Sequence, residues 1–133
     1  MDGAFTTTID IRFRDIDELG HVNNAVYATY TEQARIDYFE HVYDAAIEDL
    51  PTVLAAHSIS FRRPVTLRHD QVEVTLAVTT LGRTSVEIDY EIHIDEGIAA
   101  EASSTQVVID PETGDPTPIP DRFREAIAAR HEL

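Results

Sequence analysis

Residues 12–35 read RFRDIDELGHVNNAVYATYTEQAR, and this stretch passes from an alternating strand pattern through a loop into an amphipathic helix. The two asparagines of the chain, Asn23 and Asn24, lie side by side where the loop would meet the helix. Asparagine accepts hydrogen bonds from the unpaired N–H groups of a first helical turn, so either residue is a candidate N-cap. The spacing of apolar residues then predicts a helix from Asn24 to about Glu40.

A helix that begins here also predicts a place for negative charge. Free N–H groups at a helix N-terminus, with the helix dipole behind them, favour charge that develops on a bound carbonyl oxygen. Asp17, a few residues upstream, would add a carboxylate beside such an oxyanion site. On the residues alone an alternative remains open, in which Asp15 and Asp17 are turn acids and the asparagines are only a cap.

The rest of the chain is typical of an antiparallel sheet. Alternating segments predict strands at residues 8–14, 53–61, 72–78, 86–94 and 98–110, with hairpin turns at residues 81–84 and 95–97. The acidic residues 44–49 are expected to end the helical region, and a short terminal helix is expected at residues 122–130. The fold class is therefore α+β, an antiparallel sheet wrapped around one long helix, in a single domain of residues 1–133. Such a sheet leaves an edge or a face uncovered, which favours oligomers.

Charge excludes several classes of partner. The chain has 25 acidic and 10 basic residues, a formal net charge of −15, and no lysine. A field of this sign repels nucleic acid and anionic membrane surfaces. The acids are dispersed along the chain, which is typical of proteins from salt-loving organisms and less typical of an acidic interaction module.

Other absences narrow the chemistry further. The chain has no cysteine, which excludes disulfides, thiolate metal sites and a cysteine nucleophile. Its six histidines are scattered without a close ligand pair, so the sequence predicts no metal site. No apolar run approaches the length that crosses a bilayer, and we expect a cytoplasmic protein.

One motif resembles a known family. The pattern F-x-D-x-D-x-x-G-H-V-N-N-A-x-Y at residues 13–27 resembles the signature of the hotdog-fold acyl-CoA thioesterases, in the branch similar to 4-hydroxybenzoyl-CoA thioesterase. E-x-A-R-x-x-Y-F at residues 32–39 continues the resemblance, and weaker segments extend it over nearly the whole chain. It implies hydrolysis of an acyl-CoA thioester to a free carboxylic acid and coenzyme A. It also implies a homodimer whose sheets join edge to edge, commonly paired into a homotetramer, with no metal or redox cofactor.

The resemblance also implies roles for the motif residues. Asp17 aligns with the catalytic aspartate of the family, as general base or nucleophile, and Asp15 is expected to be part of the loop structure. The oxyanion contact would be the backbone N–H at or near Asn24, and Gly20 would permit the tight loop. His21 would orient the thioester or only support the loop. Asn23 would hold Asp17 or cap the helix.

Arginines are the expected contacts for the phosphates of coenzyme A, because guanidinium groups match phosphate oxygens. Arg83, Thr84 and Ser85 lie at the family's nucleotide-binding position, and Arg62 and Arg63 lie near a strand end. Each arginine has an alternative role in a surface salt bridge. Tyr27 would line an acyl pocket or belong to the core. Two other functions stay open: hydrolysis of acyl groups on acyl carrier protein, and acyl binding without catalysis.

Overall fold

The computed structural model of the chain describes residues 1–45 and 49–133, so residues 46–48 of the turn predicted at 44–49 lie outside it. The described strands are β1 (Phe5–Asp10), β2 (Thr52–Phe61), β3 (Gln71–Leu81), β4 (Ser85–Ile94) and β5 (Gly97–Val108), and the helices are α1 (Val26–Tyr43) and α2 (Asp121–His131). The strands form one antiparallel sheet in the order β1-β3-β4-β5-β2. This confirms the α+β arrangement that the sequence predicted. Neither helix is both long enough and apolar enough to cross a membrane, as far as the described residues show.

The two predicted hairpins form because their apolar residues alternate in register. In the first hairpin Leu76 of β3 pairs with Tyr90 of β4, and both side chains are buried. The turn between them closes where the Gly82 N–H donates to the Ser85 carbonyl at 2.8 Å. The second hairpin turns between Ile94 and Gly97, which places β5 beside β4.

Helix α1 covers the inner face of this sheet with one stripe of side chains. Tyr27, Tyr30, Ala34 and Tyr38 are all buried, as their spacing of three and four residues predicts. Burial of a large apolar side chain contributes roughly 1.5–3 kcal/mol, so this stripe accounts for much of the attachment of α1. The helix begins at Val26, two residues after the predicted start at Asn24. It ends at Tyr43, three residues after the predicted end at about Glu40.

The predicted C-terminal end of the first strand is wrong. We expected it to reach residue 14 with Phe13 on the same face as Ile9 and Ile11, but β1 ends at Asp10 and Phe13 is 82% exposed. The reason is a 3₁₀ turn at Phe13–Asp15, in which the Asp15 carboxylate accepts a hydrogen bond from the Arg12 N–H at 2.9 Å. That local bond competes with strand pairing, and apolar alternation does not reveal it.

Strand β2 is the edge of the sheet beside β5, and three of its large apolar side chains are partly exposed. Val53, Leu54 and Phe61 are each about half exposed, at 46%, 50% and 48%. An open edge presents unpaired backbone groups, and here it also presents large apolar side chains. The sheet can therefore be extended by another strand at β2.

Candidate active site

Asp15 anchors the loop that follows β1. Its side chain is 1% exposed and accepts hydrogen bonds from the Arg12 guanidinium at 3.0 Å and from the Tyr30 hydroxyl at 2.9 Å. Burial alone would raise the pKa of Asp15, but the hydrogen bonds from Arg12 and Tyr30 and the charge of Arg12 outweigh it and hold the pKa below its usual value of 3.8. Asp15 is therefore a buried carboxylate with a structural part in the loop, as the resemblance implied.

Asp17 lies in the same loop and is half-exposed. Its Oδ1 accepts hydrogen bonds from the backbone N–H groups of Leu19 at 2.9 Å and His21 at 3.2 Å. Within the described residues its Oδ2 accepts no hydrogen bond, which leaves that oxygen open to water or to a substrate. Gly20 has a φ of +81°, a left-handed conformation that glycine adopts without strain, so the loop can turn back toward Asp17.

The two asparagines before α1 differ in their hydrogen bonds. The Asn23 side chain accepts a hydrogen bond from the Ala25 N–H at 2.9 Å, which forms an Asx turn just before the helix, and it makes no hydrogen bond to Asp17 within the described residues. The prediction that an asparagine is the N-cap was wrong, because the helix begins later, with Ala25 at the N-cap position and no side-chain cap hydrogen bond. Asn24 is exposed, and among the described residues its backbone N–H has no hydrogen-bond acceptor. A free N–H at this point is the group that an oxyanion contact requires.

A cavity of about 260 Å³, here called the loop cavity, opens beside Asn24. Its walls bring together five of the eleven predicted site residues, from the loop, α1 and the segment after β2, namely His21, Asn24, Tyr27, Arg62 and Arg63, and Phe61 at the end of β2 completes them. Asp17 does not itself line this cavity, but its Oδ1 accepts a hydrogen bond from the backbone N–H of His21, which does. Tyr27 is buried and its ring packs edge-on against Phe61 with centroids 5.0 Å apart, so Tyr27 belongs to the core as well as to the cavity wall.

The arginines beside the loop cavity already have partners. Arg62 forms a salt bridge with Glu101 at 2.7 Å, and Arg63 donates to the Ile98 carbonyl at 2.7 Å. Both side chains remain exposed. A phosphate in this position would have to replace or share these contacts, which weakens the case for either arginine compared with one that has no partner.

Arg83, Thr84 and Ser85 lie at the opposite end of the sheet. Phe61 pairs with Ala100 of β5, whereas Ser85 pairs with Val107 on the same strand. Seven residues of β5 at ~3.3 Å each separate these positions by roughly 23 Å. One chain therefore does not bring its predicted coenzyme A contacts together. Arg83 is exposed, and within the described residues its guanidinium has no hydrogen-bond or ion-pair partner.

A second cavity of about 250 Å³, here called the inner cavity, lies between α1 and the sheet near the start of β2. Its lining is mainly apolar, with Phe39, Leu54 and Ile88 among the wall residues, but it also includes Arg35 and Gln106. The sequence analysis missed both polar residues. Gln106 falls in phase with the buried positions of β5, so the inward phase of that strand is the signal that would have identified it.

One group of possible metal ligands is present in the described part of the chain. Atoms of Asp37, Glu40 and His41 on α1 lie within 4.8 Å of one another. Asp37 already accepts hydrogen bonds from Thr7 and Gln33, and Glu40 and His41 are exposed. None of the three lines the loop cavity or the inner cavity. The expectation that no metal takes part stays a prediction.

Comparison with known proteins places this geometry in a family. A model of the thioesterase-like superfamily matches residues 11–127. A Thermus thermophilus thioesterase, solved in complex with coenzyme A and Zn, is 35% identical over 99% of this chain and 97% of its own, with a TM-score of 0.85. A putative thioesterase from Pseudomonas aeruginosa is 32% identical over 92% of this chain and 97% of its own, with a TM-score of 0.79.

The sequence of an uncharacterised Bacillus subtilis protein, YsmA, is 24% identical over 107 residues, which are 80% of this chain and 70% of that protein. The family match spans the motif at residues 13–27 and confirms the resemblance read from it. The chain belongs to the thioesterase-like superfamily, has the hotdog fold of its relatives, and falls among proteins whose reaction is thioester hydrolysis.

Proposed function

We propose that this protein is an acyl-CoA thioesterase, which hydrolyses an acyl-CoA thioester to a free carboxylic acid and coenzyme A. One observation carries the proposal: Asn24, whose N–H has no acceptor within the described residues, lines the loop cavity, and Asp17, whose Oδ2 accepts no hydrogen bond from them, is hydrogen-bonded to the backbone of His21 in the wall of the same cavity. A carboxylate and an unpaired N–H are the two groups that thioester hydrolysis needs. The coenzyme A in the Thermus thermophilus relative supports the choice of substrate.

The reaction follows from these two groups. The thioester carbonyl oxygen would accept a hydrogen bond from the Asn24 N–H. When the carbonyl carbon is attacked, the negative charge that develops on this oxygen would be stabilised by the helix N-terminus. Asp17 would act in one of two ways. As a general base it takes a proton from a water molecule that attacks the carbonyl carbon. As a nucleophile it forms an anhydride with the acyl group, which water then cleaves. In both routes the carbon–sulfur bond breaks and coenzyme A leaves as a thiolate that takes up a proton.

Other residues would orient the thioester or bind the phosphates of coenzyme A. The imidazole of His21 lines the loop cavity and has no hydrogen-bond partner within the described residues, so it is free to contact the thioester. Arg83 is the strongest candidate for a phosphate contact, because its guanidinium has no partner to release and Thr84 and Ser85 add hydroxyl groups beside it. Arg62 and Arg63 are the second candidates.

A homodimer would bring these residues together. If β2 pairs with β2 of a second chain about a two-fold axis, the two strands run antiparallel, because a symmetric edge pair has that geometry. The end of β2 that carries Phe61 and Arg62 then lies toward the beginning of the partner's β2. That beginning is the end of the sheet where Arg83 lies. Each loop cavity would thus be completed by the partner's Arg83. Assembly of two dimers into a homotetramer stays a prediction.

The substrate is tested by the release of free thiol from purified protein. A panel of acyl-CoA thioesters and the same acyl groups on acyl carrier protein would be compared at low and at molar salt. We expect turnover of acyl-CoA and weak turnover of the carrier-bound substrates, since an acidic carrier meets a chain of formal charge −15. Preference for the carrier-bound substrates would favour the acyl carrier protein alternative. Tight binding of acyl-CoA without any hydrolysis would favour the non-catalytic one.

The dimer is tested by mixing two impaired chains. Coexpressed Asp17→Asn and Arg83→Ala chains with different tags would give purified mixed dimers. In such a dimer one shared site has both Asp17 and Arg83 intact, whereas two separate single-chain sites would both be damaged. We expect mixed dimers to recover up to half of the normal activity at low acyl-CoA. Activity no higher than that of either parent variant would contradict the shared site.

A further inference from the structure

The inner cavity has the composition of a site for a small ligand. Apolar side chains form most of its wall, and a few polar groups converge on a volume of about 250 Å³. It lies on the helix side of the sheet, under the second half of α1, where the core would otherwise be filled by apolar side chains. The polar groups in it therefore need an explanation.

Gln106 is the first of these groups. Its side chain is 5% exposed and its Oε1 accepts a hydrogen bond from the Thr52 hydroxyl at 3.1 Å. Its Nε2 is buried and has no hydrogen-bond partner in the part of the chain that the structure describes. Buried polar atoms nearly always have a partner in folded proteins, so this unpaired amide N–H, on a residue that lines the cavity, points to a hydrogen-bond acceptor beside it.

Arg35 is the second group. It is half-buried on α1, lines the same cavity, and donates to the Tyr90 hydroxyl at 3.0 Å. The Tyr90 hydroxyl in turn is hydrogen-bonded to the buried Ser104 at 2.7 Å, which fixes the position of the guanidinium. Within the described residues no carboxylate forms an ion pair with Arg35. A guanidinium has five N–H donors, so several remain for a ligand.

The remaining charges around the cavity are few. Glu32 also lines it, but its side chain is exposed and its charge is solvated. His57 on β2 does not line the cavity, and burial together with the positive charge of Arg35 lowers its pKa, which favours its neutral form. The cavity therefore presents N–H donors and one net positive side chain to its interior.

We propose that the inner cavity binds the acyl group of the substrate and selects acyl groups that carry an oxygen acceptor, a carboxylate or a hydroxyl, at the end away from the thioester. This inference rests on the proposed function. The cavity includes Thr52 and Leu54 at the beginning of β2, which is the end that a symmetric dimer places toward Asp17 of the partner subunit. An acyl chain attached at the loop cavity of one subunit then extends into the inner cavity of the other, where Gln106 and Arg35 meet its far end.

The test compares three CoA thioesters with acyl chains of equal length that end in a methyl group, a hydroxyl group or a carboxylate. We expect kcat/KM for both oxygen-bearing substrates to exceed that for the methyl-ended one by at least ~10-fold, because a site with unpaired donors disfavours a substrate that cannot accept from them. Gln106→Met should bring the three values together, and Arg35→Met should remove mainly the preference for the carboxylate. Gln33→Met, a glutamine on the exposed side of α1, should change none of the ratios.

Other outcomes decide the inference without ambiguity. Equal or higher kcat/KM for the methyl-ended substrate, unaltered in Gln106→Met, would overturn it while leaving the proposed function intact. If no thioester is hydrolysed, the proposed function fails. Calorimetry with the free hydroxy acid and dicarboxylic acid then tests whether the inner cavity binds these groups independently of catalysis. Binding that is lost in Gln106→Met supports the inference, and absence of binding overturns it. Gln106→Ala serves as a second variant if the methionine variant does not fold.

Discussion

Tyr30 donates a hydrogen bond of 2.9 Å from its hydroxyl to Oδ2 of Asp15. This bond joins the buried stripe of α1 to the loop that carries Asp17. Burial, the hydrogen bond to Asp15 and the negative charge of Asp15 raise the pKa of Tyr30, so its hydroxyl keeps its proton and remains a donor to higher pH than that of an ordinary tyrosine. The position of the proposed catalytic loop is therefore set from inside the core.

Tyr30→Phe should lower the free energy of unfolding by roughly 1.5–3 kcal/mol, because it removes a hydrogen bond to a buried carboxylate. Chemical denaturation measures this directly. Tyr43→Phe is the matched control, since it removes a hydrogen bond between two neutral hydroxyls, those of Tyr43 and Tyr38. A neutral bond is worth about 0.5–1.5 kcal/mol. If both variants lost the same small amount, Asp15 would not be the anchor described here.

Asp15 should also make the protein sensitive to acid. Its folded pKa lies below 3.8, so the folded state binds its proton less readily than the unfolded state does. The stability that follows is present above about pH 3.8 and is lost as the pH falls through the lower, folded pKa. Unfolding free energies measured from pH 7 to pH 3 should fall less steeply at the acid end in Asp15→Asn than in the wild type. Parallel curves would show that other carboxylates account for the acid sensitivity.

Arg83→Ala should raise KM for acyl-CoA by about 10- to 150-fold with a smaller effect on kcat, because one charge-assisted phosphate contact is worth roughly 1.5–3 kcal/mol. The same variant should behave almost normally on a truncated thioester that lacks the nucleotide. Arg122→Ala, at an exposed arginine that stacks on Phe123, controls for the change of overall charge. Equal damage on both substrates would indicate a structural role, and no damage on either would leave only Arg62 and Arg63.

Activity and Tm should rise as sodium chloride increases from millimolar to molar concentrations. The 25 acidic residues repel one another, and the Debye length falls from ~10 Å at 0.1 M to ~3 Å at 1 M, which screens that repulsion. Sucrose at matched osmolarity is the control, since it stabilises folded proteins without screening charge. A Tm that sucrose and salt raise equally, or that neither changes, would contradict adaptation of this surface to salt.

Periodicity alone predicted the parts of the fold that depend on burial. The stripe from Tyr27 to Tyr38 and the alternation in β3 and β4 each have one face that must be covered, so apolar spacing locates them. Phe13 was predicted wrongly because the bonds between Arg12 and Asp15 end the strand, and alternation does not record such bonds.

The candidate site was predictable only where it is local in the chain. Asp17, His21 and Asn24 lie within one loop, so their proximity follows from the motif. The separation of Arg62 from Arg83 depends on strand register, which the sequence does not state. Gln106 was missed for a related reason: a polar residue in an alternating strand looks the same on either face until the inward phase of β5 is known.

The turnover of Asp17→Asn tests the central claim most directly. The substitution removes the carboxylate charge at nearly constant volume, and Glu18→Gln removes the same charge from the neighbouring exposed residue. Both proteins would be assayed with saturating acyl-CoA after their folding and oligomeric state are shown to match the wild type. We predict that Asp17→Asn lowers kcat by at least ~10²-fold while Glu18→Gln stays near normal. Near-normal kcat in folded Asp17→Asn would contradict the assignment of Asp17 as base or nucleophile.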